Sequence, residues 1–79
     1  MMPGMKFIEI TGRTLAELAR EGHVNASDLK AAGVHEGSLL RVNEQGDIEI
    51  RRHAQWDVIG GLLGEFAERL RAKTGLDFA

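Results

Sequence analysis

The side chains best suited to nucleophilic or metal chemistry are scattered along this chain of 79 residues. His23, His35 and His53 form no pair at the i, i+3 or i, i+4 spacing with which one helix presents two ligands to a metal. Neither serine, Ser27 nor Ser38, lies in the Gly-x-Ser-x-Gly context of a nucleophile elbow. The carboxylates are interspersed with Arg and Lys, which favours ordinary ionised groups over acids of raised pKa. The sequence therefore predicts a protein that is not an enzyme and has no metal or cofactor.

A short basic cluster with an aromatic neighbour is the feature best suited to nucleic acid. Arg51-Arg52-His53 precedes Trp56, and basic side chains contact phosphates while an aromatic ring stacks on a base. Residues 38–53 nevertheless carry as many acidic residues as arginines. We therefore interpret the cluster first as a solvated strand end with Trp56 in the core, and keep nucleic-acid contact as the alternative.

The C-terminal third has the apolar spacing of a long helix. From Gln55 onward the apolar residues recur at intervals of three and four positions: Trp56, Ile59, Leu63, Phe66 and Leu70. This spacing predicts one amphipathic helix over residues 54–74 with a continuous apolar seam. Thr74-Gly75 is a typical helix end.

Three glycines interrupt this predicted helix, at Gly60, Gly61 and Gly64. Each costs about 0.8–1 kcal/mol relative to alanine in a helix interior, so we expect a compensating gain. Gly60 and Gly64 lie one turn apart, and such a small-residue stripe admits a second backbone. That backbone is either this protein's own sheet or another helix, in a dimer or a partner. The predicted interface is Trp56, Ile59, Gly60, Leu63, Gly64, Phe66 and Leu70.

Residues 5–53 alternate strand and helix signals. Lys6–Ile10 reads as a strand, and Thr14 to Glu17 as a capping box that begins a short helix ending at Gly22. A second short helix begins at Asn25 or Ser27 and ends at Gly33. Residues 38–51 read as a hairpin closed on Gly46, with Leu40 and Val42 on the same face as Ile48 and Ile50. The predicted fold is α+β: a small antiparallel sheet, two short helices and the long C-terminal helix.

Length and composition indicate a single domain, residues 1–79. Ten Lys and Arg against twelve Asp and Glu give a net charge of −2, which points neither to nucleic acid nor to anionic lipid. Cysteine is absent, which excludes disulfides. Without a signal-peptide pattern or an apolar run of about 18–20 residues, we expect a cytoplasmic protein. A chain this short buries only about 60–65% of its unfolded surface, so we expect self-association as a homodimer.

Residues 24–51 resemble the second half of the AbrB/MazE swapped-hairpin family. The resemblance rests on the short helix with Leu29 that ends in Gly33-Val34, and on the hairpin through Gly46-Asp47 to Arg51. It implies an obligate dimer of interleaved hairpins that binds DNA, followed from Trp56 onward by a toxin-binding arm. The family's basic first strand and its proline before the short helix are absent. Lys30 matches the family's basic helix position.

Two functions follow from these observations. We predict a small non-enzymatic module that dimerises and binds a protein partner through its C-terminal helix. The alternative is an AbrB/MazE-like DNA-binding regulator or antitoxin. Its nucleic-acid contacts are Lys30, Arg41, Arg51 and Arg52. The partner's identity and the biological process stay open.

Overall fold

One antiparallel sheet and three short helices make up the fold. A computed structural model describes residues 5–79; the expectation that no signal sequence is present rests partly on residues 1–4, which lie outside this range. The elements are β1 Phe7–Thr11, α1 Gly12–Arg20, α2 Ala26–Ala31, β2 Leu39–Asn43, β3 Asp47–Arg52, β4 Gln55–Gly61 and α3 Phe66–Thr74. The four strands are hydrogen-bonded in chain order, so the predicted α+β class is confirmed. No helix of residues 5–79 is long and apolar enough to cross a membrane.

The first helix begins earlier than the predicted capping box. Thr11 is the N-cap, and its hydroxyl accepts from the Thr14 amide at 3.4 Å. Helix α1 starts at Gly12 because the chain between α2 and β2 passes directly against it. The Gly12 amide donates to the Ser38 carbonyl at 2.9 Å, and a Cβ on Gly12 would overlap the His35 carbonyl. Thr14 is therefore inside the helix and does not cap it.

The second helix and the central hairpin match their predictions. Asn25 caps α2, with its side-chain oxygen 2.8 Å from the Ser27 amide. Strands β2 and β3 pair with Leu40 opposite Ile50 and Val42 opposite Ile48. Gly46 closes the hairpin with φ +90°. The buried Asn43 carboxamide supports the turn by accepting from the amides of residues 45 and 47 at 2.9 and 3.0 Å.

The long C-terminal helix predicted over residues 54–74 is wrong. The chain reverses at His53 and Ala54, whose φ values are +48° and +64°, and residues 55–61 form β4 along β3. Within residues 54–74, only Phe66–Thr74 is helical. The β-branched Val58 and Ile59 favour a strand. The glycines weaken the alternative helix, since each would cost about 1 kcal/mol relative to alanine in a helix interior. A bulge in this pairing lies between Ile48 and Glu49.

The core lies on one face of the sheet. Alternate residues of β1, β2 and β3 point toward the helices, which is the period of a strand buried on one face. The buried apolar cluster is Ile8, Ile10, Leu15, Leu18, Val24, Leu29, Leu40, Val42, Ile48, Ile50, Leu62 and Leu70. All helices therefore cover this inner face.

Helix α3 is held against both α1 and the hairpin. Lys73 contacts Glu21 at 2.9 Å and Glu17 at 3.5 Å, and the hydrogen bond from Lys73 lowers the pKa of Glu21 below its usual 4.5. The Phe66 ring packs over Gly46, where a Cβ would lie 2.9 Å from the ring. Beyond α3, the backbone of Ala79 exchanges two hydrogen bonds with Phe7, at 3.1 and 3.0 Å.

Three Gly→Ala substitutions distinguish the cost of a positive φ from the cost of overlap with a neighbouring side chain. Gly46→Ala adds a strained φ to overlap with Phe66, so we expect a loss of about 2–4 kcal/mol of unfolding free energy. Gly64 has φ +66° but open space around it, so Gly64→Ala should cost about 1 kcal/mol. Gly60 has neither constraint, and its substitution should be neutral or stabilising by about 0.5 kcal/mol. Urea unfolding measures all three, and equal losses would contradict the assigned role of Gly46.

Candidate functional site

The candidate site is the face of the sheet turned away from the helices, which we call the outer face. Strand alternation and the observed register bring one set of side chains together there. The outer face consists of Phe7, Glu9, Thr11, Leu39, Arg41, Asn43, Asp47, Glu49, Arg51, Trp56, Val58 and Gly61. Within residues 5–79 no helix packs on it, because the helices contribute to the single core on the other side.

Two apolar residues of the outer face are open to solvent. Leu39 is 61% exposed and Val58 is 67% exposed. A sheet with one wetted face normally alternates apolar inward and polar outward residues. Leu39 and Val58 break this alternation, and the partly buried Phe7 and Trp56 add aromatic surface beside them. The outer face is therefore more apolar than solvation alone requires.

Arg41 organises the centre of this face. Its guanidinium carbon lies 3.8 Å from the Phe7 ring centre and 4.3 Å from that of Trp56. Its Nε and Nη2 also donate to one carboxylate oxygen of Glu49, at 3.1 and 2.8 Å. Planar guanidinium groups stack on aromatic rings and bind carboxylates in this way, so the two rings are held in fixed positions. The centre of the face is therefore an arginine–glutamate ion pair between two aromatic rings.

Glu9 and Arg51 supply opposite charges that are not used within the chain. Neither has an ion-pair partner among the described residues. They lie at the rim of a concavity of about 350 Å³, whose lining includes Leu39 and Trp56. Arg51 lies 5.6 Å from the centre of the Trp56 ring. The outer face thus surrounds the Arg41–Glu49 ion pair with aromatic and aliphatic groups. Near its edges lie Glu9 and Arg51, and at one end Asp47 accepts from the Asn43 carboxamide at 3.1 Å.

The residues predicted as a helical interface do not share a surface. Ile59 and Gly60 belong to β4, and Ile59 packs against the core. Leu63 and Gly64 lie in the connection to α3, where Leu63 is 59% exposed. Phe66 and Leu70 point from α3 into this chain's own core, and Trp56 belongs to the outer face. The residues of the predicted apolar seam therefore lie in three different places: packed toward the core, in the connection between β4 and α3, and on the outer face.

The predicted nucleic-acid contacts are also separated. Arg41 and Arg51 lie on the outer face, whereas Lys30 is on α2, on the helical side. Arg52 donates to the Ala32 carbonyl at 3.1 Å and lies 3.4 Å from the Asp57 carboxylate. A single chain therefore presents no continuous stripe of these four cations.

Sequence reasoning missed Phe7, Glu9, Leu39 and Val58 as site residues. Two signals for them exist. Leu39-Leu40 places adjacent leucines on opposite faces of a strand, so one of them must leave the core. Val58 alternates with Trp56, which becomes visible once residues 55–61 are assigned as a strand.

Comparison with protein-family models, curated proteins and solved structures finds no match for this chain. The resemblance of residues 24–51 to the AbrB/MazE family therefore stays a prediction. In the part of the chain that the structure describes, no three His, Asp or Glu side chains come close enough to hold a metal ion.

Replacing Arg41 tests whether it organises the outer face. Arg41→Lys keeps the charge but loses the planar group between the rings, so we expect a loss of about 1 kcal/mol and a red-shifted Trp56 emission. Arg13→Lys is the matched control, because Arg13 is exposed and has neither an ion pair nor an aromatic contact among the described residues, and it should change stability by less than about 0.5 kcal/mol. Equal effects of the two substitutions would contradict the central role of Arg41.

Proposed function

We propose that this protein is a non-enzymatic interaction module that dimerises by packing its outer face against the outer face of a second copy. The observation that carries the proposal is the exposure of Leu39 and Val58 beside the rings of Phe7 and Trp56. Burying an exposed Leu or Val side chain contributes about 1.5–3 kcal/mol at most. A symmetric dimer contains two copies of each residue, so each contribution counts twice.

The layer structure supports a sheet-to-sheet contact. The molecule is 18 Å thick along its shortest axis, as expected for one layer of helices on one sheet. Two sheets pack face to face at about 10 Å, with their side chains interdigitating. A second copy would supply the layer that covers Leu39 and Val58. The rigid rings of Phe7 and Trp56 would meet it without first losing conformational freedom.

The charges favour a second copy over nucleic acid. In a contact with two-fold symmetry every pairing occurs twice. If a first residue of one copy touches a second residue of the other copy, that second residue of the first copy also touches the first residue of the other. Glu9 of each copy can then pair with Arg51 of the other. A phosphate backbone would instead be repelled by Glu9 and Asp47, and Glu49 already neutralises Arg41. The outer face is self-complementary in charge.

Sedimentation velocity of L39E/V58E tests the dimer. We expect wild-type protein at twice the 8.7 kDa chain mass and the variant at the chain mass, because four carboxylates would face each other across the contact. L63E is the matched control, since Leu63 is as exposed as Leu39 but lies off the outer face, and it should stay dimeric. Monomeric wild type would overturn the proposal. If L63E is monomeric and L39E/V58E is dimeric, the dimer contact lies in the segment after β4 and not on the outer face.

The same variants separate this dimer from interleaved hairpins. An outer-face dimer dissociates into folded monomers, so the circular dichroism of L39E/V58E should match that of wild type. An interleaved dimer has no folded monomer, and its dissociation would be accompanied by loss of structure. Unfolding of L39E/V58E on dissociation would therefore favour the AbrB/MazE-like alternative.

A charge exchange tests the predicted contact between Glu9 and Arg51. E9K alone and R51E alone should each weaken the homodimer, by about tenfold in Kd, because like charges then meet at both ends of the contact. E9K/R51E should restore it. Mixing E9K with R51E should yield a heterodimer in which both pairs are attractive. If all variants dimerise equally, the outer-face contact stands but this pairing is wrong.

A further inference from the structure

A second surface lies on the helical side of the molecule, in the groove between α1 and α2. The groove has a volume of about 380 Å³. Its lining is apolar except for two cations: Ala16, Ala19, Ala26, Leu29 and Val34, with Arg20 and Lys30. It shares no residue with the outer face.

The floor of the groove is continuous with the core. Leu29 belongs to the buried cluster, and Ala19 and Val34 pack against that cluster while staying partly exposed. An apolar side chain entering the groove would therefore contact side chains that are already held in place. The alanines on both walls are small and leave the groove open to solvent.

The charge of the groove is positive in a protein whose net charge is −2. Arg20 and Lys30 have no carboxylate within ion-pair distance in residues 5–79, and no carboxylate lines the groove. The acidic residues of α1, Glu17 and Glu21, are engaged by Lys73 of α3 instead. Two free cations thus flank an apolar floor.

We propose that this groove binds an acidic amphipathic helix of a partner protein. Helix-in-groove recognition uses apolar anchors one turn apart, which would enter between α1 and α2. Carboxylates beside those anchors would pair with Arg20 and Lys30. Nucleic acid fits less well, because two cations neutralise few phosphates and no aromatic side chain of the groove can stack on a base.

The test uses a fluorescein-labelled synthetic peptide with leucines at every third or fourth position and glutamates between them. Fluorescence anisotropy should give a Kd in the micromolar range, and R20E/K30E should weaken binding about tenfold or more. Amide resonances of Ala16, Ala19 and Leu29 should shift in a ¹⁵N spectrum. R69E is the matched control, because Arg69 is exposed on α3 and belongs neither to the groove nor to the outer face, and it should bind as wild type does.

Three results would overturn the proposal. The first is absence of binding by the glutamate peptide. The second is equal binding of a peptide with glutamine in place of glutamate, which would remove the charge argument. The third is unchanged binding by R20E/K30E, provided that its melting temperature matches that of wild type. A DNA oligonucleotide that binds wild type and not R20E/K30E would assign the groove to nucleic acid instead. L39E/V58E should bind the peptide as well as wild type does. A failure of the proposed dimer can therefore be distinguished from a failure of the proposed groove.

Discussion

Contact between the Phe66 ring and Gly46 determines where the last third of the chain lies. The ring occupies the space that a Cβ on Gly46 would fill, and the Gly46 carbonyl accepts from the Leu62 amide at 2.8 Å. One turn residue therefore joins the central hairpin to the end of β4 and to the start of α3. With α3 placed there, Leu70 enters the core and Lys73 reaches α1.

The division of the sheet into two unlike faces follows from this arrangement. Every helix of residues 5–79 packs on the inner face, so none of them covers Leu39 and Val58. Sheets with one wetted face usually carry polar residues on it, whereas this one has an arginine between two rings and exposed aliphatic groups beside them. The surplus apolar surface is the physical basis of the proposed self-association through the outer face.

Sequence reasoning succeeded where local signals and tertiary structure agree. The central hairpin was predictable because Gly46 and the alternation of Leu40, Val42, Ile48 and Ile50 all indicate the same turn and the same buried face. Strand β4 was not, because the turn at His53 and Ala54 lacks the glycine or asparagine that usually adopts positive φ. The apolar spacing beyond it also matched a helix. The outer face was only partly predictable, since alternation shows which residues share a face and not whether that face is covered.

The two edges of the sheet limit how copies of this chain can associate. At β1 the N–H and C=O groups of Phe7 are already hydrogen-bonded to Ala79. At β4 the bulge breaks the regular spacing of backbone hydrogen-bonding groups that an added strand needs. Addition of a further strand is therefore hindered at β4 and at the start of β1. A two-fold contact through the faces closes on itself and leaves no site for a third copy. The irregular β4 is the kind of edge that disfavours open-ended polymerisation of a sheet with exposed aliphatic groups.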